Sequence, residues 1–173
     1  MRLWEKIRHL TVQHYLRLTA NSEIRVTAGT VEHVITAAEL SALAGKTAVL
    51  TTTKTVAAFE TGTRFILNTA TAFVTTLPAP AAGLEFWFYI GATEPTTSHT
   101  VVTNASANII NGNLVSPDVD GTNVVNAADA DTISFIASKA LHGDFAHVWS
   151  DGTNWYLDGM SSAFDGMTTT QAS

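Results

Sequence analysis

The sequence predicts a mainly β protein: an antiparallel sandwich or barrel of jelly-roll or tulip-like kind, carried behind an N-terminal amphipathic α-helix. Three observations point there. Most of the chain falls into short segments that alternate apolar and polar residues and end at Gly, Pro, Asn or Asp. Thr (27) and Ala (25) supply 52 of 173 residues, and charged residues only 14%; Thr suits a pleated surface and keeps it wet without charge. Residues 2–20 alone lack Gly and Pro and repeat their apolar residues at helical spacing.

In chain order the helix comes first. On a helical wheel Leu3, Trp4, Ile7, Leu10, Tyr15 and Leu18 share one face, with Arg2, Lys6, His9, Gln13 and Arg17 opposite. Asn21-Ser22 ends it. Residues 1–26 form an attachment or oligomerisation arm, and 27–173 the β domain. Strands are expected at 23–28, 31–36, 47–52, 55–59, 63–68, 71–77, 84–91, 99–104, 132–137, 145–150 and 154–158. A short helix or turn is expected over Ala37–Ala44, before Gly45. Leu84-Glu85-Phe86-Trp87-Phe88-Tyr89-Ile90 carries large residues on both faces except at Glu85. Such a strand is covered on both sides, one of them by core and the other by core or a neighbouring subunit. Residues 105–131, rich in Asn, Asp and Gly, read as a long irregular excursion. At the far end Phe145, His147 and Trp149 alternate with Ala146 and Val148. Asp151-Gly152 then supplies a hairpin turn, and Trp155 and Leu157 resume the alternation.

Composition restricts function as well as fold. With 46% hydrophobic residues the chain can bury a core. Residues 1–26 carry a balance of +3 and 27–173 one of −9, which sum to −6. The acidic body is expected to repel nucleic acid. There are no cysteines, so disulfides and thiolate chemistry are absent. No apolar run reaches membrane-spanning length, charges interrupt the N-terminus too often for a signal peptide, and a membrane-surface role is not expected.

Candidate chemistry is sparse. Gly45-Lys46-Thr47 lacks the earlier glycine of a phosphate loop, because Leu40 stands there. Asp118, Asp120, Asp129 and Asp131 could ligate calcium, but their spacing fails the helix–loop–helix calcium pattern, and turn capping accounts for them. The histidines lack metal-site spacing. No partner carboxylate can be assigned to Glu85, which reads as an edge or interface residue that meets a polar group. No catalytic residue, metal ligand or cofactor is therefore expected. Trp149, Trp155 and Tyr156 could stack on a sugar, although packing explains them as well. The apolar helix stripe is the strongest functional signal, because so much apolar surface has to be covered by something.

Phe73-Val74-Thr75-Thr76-Leu77-Pro78-Ala79-Pro80-Ala81-Ala82-Gly83-Leu84-Glu85-Phe86 resembles a strand-turn-strand of tailed-bacteriophage virion proteins. So do Asn108-Ile109-Ile110-Asn111-Gly112 and Ser150-Asp151-Gly152-Thr153-Asn154-Trp155-Tyr156. The likeness covers about residues 60–160 and is one of pattern. It implies a short β domain of a capsid decoration (cement) protein, head fibre or fibre tip, assembled as a homotrimer. The function expected is non-enzymatic: binding the major capsid protein on the capsid exterior and stabilising the head, through Leu3, Trp4, Ile7, Leu10, Tyr15 and Leu18. The alternative is a tail-fibre or head-fibre tip that binds a host receptor or glycan through Trp149, Trp155 and Tyr156. An enzyme acting on polysaccharide is the third.

Overall fold

A computed structural model describes residues 23–28, 31–36, 47–117 and 124–173. The expected helix over 2–20, with its stripe of Leu3, Trp4, Ile7, Leu10, Tyr15 and Leu18, lies outside the described residues, as does the 37–44 segment. The chain divides into two compact units, Met1–Ser41 and Ala42–Ser173. In the first, β1 (Glu23–Ala28) and β2 (Val31–Thr36) form an antiparallel hairpin. The division expected between residues 26 and 27 falls inside β1.

The second unit is two open sheets. Strands β3 (Thr47–Leu50), β4 (Lys54–Thr55), β5 (Thr63–Leu67), β6 (Val74–Thr76), β7 (Glu85–Ile90) and β8 (His99–Val102) come first. Strands β9 (Ile110–Val115), β10 (Val124–Ala130), β11 (Thr132–Phe135), β12 (Phe145–Ser150), β13 (Trp155–Met160) and β14 (Met167–Thr170) follow. One sheet has the order β10-β9-β13-β12-β7-β5-β3, the other β14-β11-β8-β6-β4.

The ladders are mixed, which corrects the antiparallel expectation. Through β8 the chain alternates between the sheets, and each strand pairs parallel with the one a turn earlier: β3 with β5 with β7, and β4 with β6 with β8. The result is three turns of a flattened coil. Parallel neighbours place like side chains in register, so Leu50, Leu67 and Ile90 stack across three strands, and Phe65 lies on Phe88 with ring centroids 5.4 Å apart. From β9 onward the pairing is antiparallel, except that β13 runs parallel to β9.

Strands β9 and β10 correct a second expectation, the irregular excursion over 105–131. In β9 the buried Ile110 and Leu114 alternate with Asn111, Asn113 and Val115. The polar members look outward, so the segment is a strand whose wet face is amide. Gly112 sits where a Cβ would collide with the Leu157 carbonyl of β13, and its φ is +151°. The glycine therefore permits the sheet here. The chain returns through β11 and β14 to the five-stranded sheet.

Both inner faces contribute to one core. Phe65, Leu67, Phe86, Phe88, Ile90, Val148, Trp155 and Leu157 come from the larger sheet, and Val101, Ile133 and Phe135 from the smaller. Burying each large side chain is worth about 1.5–3 kcal/mol before ordering costs. The Asp151-Gly152 turn lies where the sequence puts it, between β12 and β13, with Gly152 at φ +107°. Asp144, fully buried, ties two loops: its carboxylate accepts the N–H groups of Leu141 (2.9 Å) and Ser162 (2.7 Å) and the Ser161 hydroxyl (3.1 Å).

Candidate functional site: the outer face of the seven-stranded sheet

Period-two alternation sends every second residue of the larger sheet away from the core. The register then aligns these outward residues into rows across the strands. One row runs Thr47, Arg64, Trp87, His147, Asp158, Asn113 and Asn126, from β3 to β10. The next, toward one end of the strands, runs Val49, Ile66, Tyr89, Phe145, Met160 and Val115. Toward the other end lie Glu85, Trp149, Tyr156 and Asn111.

The middle row is held by stacking. The Trp87 and His147 rings are 4.3 Å apart and within 6° of parallel, and Arg64 lies over Trp87 at 5.3 Å. A guanidinium above an indole face is attracted by the ring quadrupole. His147 Nε2 is 3.8 Å from Glu85 Oε2, too far for a hydrogen bond. Glu85 is thus an outward residue facing a polar neighbour, and it lies on an interior strand of the sheet, not on an edge strand.

The apolar row is the unusual feature. Val49 is 61% exposed, Met160 48% and Val115 45%, with Ile66, Tyr89 and Phe145 half-buried between them. Trp149, 40% exposed, adds to the same face. Four of the eight large apolar side chains exposed among the described residues therefore share one sheet surface. A contiguous apolar row of this kind is a candidate association site.

The aromatic cluster expected to stack on sugar is divided. Trp149 and Tyr156 face outward and stack on each other, with centroids 4.3 Å apart and planes 18° from parallel. Trp155 points the other way, because it pairs with inward-facing Ser150. It is fully buried, with its ring 5.9 Å from Phe86. Each outward ring also covers one face of the other, so the pair offers edges and outer faces instead of a flat platform. The Asp151 carboxylate accepts the N–H groups of Asn154 and Thr153, each at 2.8 Å, and the Tyr156 hydroxyl at 2.9 Å. These bonds hold the Asp151 carboxyl below the ordinary Asp range, and the same carboxylate pushes the Tyr156 phenol above its usual value.

Of the other singled-out residues, His99, Asp129 and Asp131 make structural contacts. His99 is buried in the smaller sheet, its Nε2 2.8 Å from the Thr69 carbonyl and its ring 4.4 Å from Phe73. Asp118 and Asp120 lie outside the described residues. Asp129 sits at a β-bulge, where its N–H donates to Asn111 Oδ1 at 3.0 Å. Buried Asp131 joins Thr103 and Thr170 through its backbone. Among the described residues no three His, Cys, Asp or Glu side chains converge on a metal position. A shallow depression is lined by Asn126, Ala128, Ala130, Thr169, Thr170 and Gln171, which offer amides and hydroxyls.

Sequence reasoning picked out Trp87, Tyr89 and Glu85 through the two-sided pattern of residues 84–90. It missed Val49, Arg64, Asp158, Met160 and Val115, which become neighbours only through the strand order. No family model, no curated protein and no solved structure matches this chain.

Proposed function

We propose that this chain is a non-enzymatic structural protein of a tailed-bacteriophage virion, a capsid decoration protein present in many copies on the head exterior. The observation that carries the reading is the exposed apolar row Val49–Ile66–Tyr89–Phe145–Met160–Val115. A low-charge sheet face of this breadth suits a subunit that works in an assembly. The resemblance of residues 60–160 to virion β domains supplies the kind of assembly. Contact with the major capsid protein is assigned to the N-terminal stripe of Leu3, Trp4, Ile7, Leu10, Tyr15 and Leu18. A ligand of the assembled head stabilises that state by mass action.

The test is reconstitution. Full-length chain added to heads lacking it should co-sediment with them and raise the temperature at which they release DNA. Leu3→Asp or Ile7→Asp should abolish attachment. Heads that neither bind the chain nor gain heat resistance would rule out decoration. Normal attachment by both variants would remove the assignment to the stripe.

A further inference from the structure

The outer face of the seven-stranded sheet has an internal symmetry of kind. About the line between β7 and β12, strands β7, β5 and β3 lie on one side and β12, β13, β9 and, outermost, β10 on the other. In the apolar row Tyr89 is then matched by Phe145, Ile66 by Met160 and Val49 by Val115. In the middle row Trp87 is matched by His147, and Arg64 by Asp158, two strands out on each side. Arg64 is the cation of this face among the described strands. Among the described residues neither Arg64 nor Asp158 forms an ion pair, and both are exposed.

We propose that this face is the interface between two copies of the chain, related by a twofold axis parallel to the strands along the β7–β12 line. A twofold contact uses the same patch on both partners, so it demands that the patch complement its own rotated image. The apolar and middle rows of this face meet that demand. Apolar row lies on apolar row, and Arg64 of each copy meets Asp158 of the other. An unrelated partner would impose no reason for the cation and the carboxylate to stand equally far from one line. Arg64 can keep its indole contact and still present guanidinium N–H groups to a carboxylate. Packed sheets keep their strand directions within about 30°. Sheet twist then concentrates the contact on the four central strands β5, β7, β12 and β13, which hold Arg64, Asp158 and the aromatic members. The inference deepens the association part of the proposed function by naming its partner and symmetry. A threefold assembly of the kind the resemblance implies would have to use another surface.

The test is sedimentation of the full-length chain over a concentration series, with circular dichroism to check folding. The wild type should form dimers or even-numbered species. Arg64→Asp and Asp158→Arg, both at exposed positions, should each weaken association by about tenfold or more, because each sets like charges opposite. Mixed in equal amounts, the two variants should recover association as a heterodimer, since both of its charge pairs are again opposite in sign. Met160→Glu should be monomeric. Wild-type chain that stays monomeric, single variants that associate normally, or a mixture that fails to recover would each overturn the proposal. A monomeric wild type whose Met160→Glu variant fails to bind heads would give the face to another virion protein. Because these readouts use purified chain, failure here leaves the head-binding result untouched.

Discussion

Two buried side chains give the sharpest predictions at the scale of the residue. Burial holds His99 below its ordinary pKa of 6.5, opposed in part by its bond to the Thr69 carbonyl. Between the native and ordinary values the unfolded chain binds a proton that the native chain does not, so stability rises with pH there. The contribution is fully present above about pH 6.5 and is lost as pH falls through the native pKa. Melting temperature should therefore decline on acidification below neutrality. His99→Gln, which keeps a donor toward Thr69 but does not titrate, should flatten the decline; an unchanged slope would remove His99 as its cause. Asp144→Ala should cost about 2–4 kcal/mol in denaturant titration, because it orphans the Leu141 and Ser162 N–H groups at a buried site, while the Ser161 hydroxyl keeps the Ala163 carbonyl at 2.9 Å. A cost under about 0.5 kcal/mol would contradict that account. Neither role was legible in the sequence. His99 sits in a plain Ser-His-Thr run, and Asp144 reads as half of a Gly-Asp turn. Burial is decided by the strands packed around them.

At the scale of the element, alternation carried most of what could be read. The hairpin of β12 and β13 was legible because Phe145, His147 and Trp149 alternate with smaller residues and Asp151-Gly152 fixes the turn. That turn also sets the inward direction of Trp155, which the sugar-stacking reading missed. Strands β9 and β10 were illegible because Asn and Gly have low intrinsic strand preference. Here the partner strands override that preference. Gly112 is the decisive case: Gly112→Ala would drive a methyl group into the Leu157 backbone. It should lower stability by about 1–3 kcal/mol and lose hydrogen-exchange protection first in β9 and β10. Protection retained there, with loss in β4 or β6 instead, would contradict the close approach of β9 to β13.

At the scale of the whole molecule, the two layers of short strands in the second unit follow from length, turn spacing and low charge. The parallel coil of β3 to β8 does not. Parallel and antiparallel strands show the same period-two pattern, and the stacked positions Leu50, Leu67 and Ile90 recur at unequal spacing, so no sequence repeat betrays the turns. The outer face was half legible. The strand over 84–90 demanded cover on both sides, yet only strand order reveals that its outward residues continue a row reaching Val49 and Val115. The decoration reading joins the broad, low-charge face to the amphipathic arm expected over residues 1–26, each of which would serve association. The most direct measurement of that reading is the copy number of this chain in purified virions, relative to the major capsid protein. The account predicts hundreds of copies in a ratio set by capsid symmetry. A few to a few tens of copies would contradict it and place the chain in a fibre or tail.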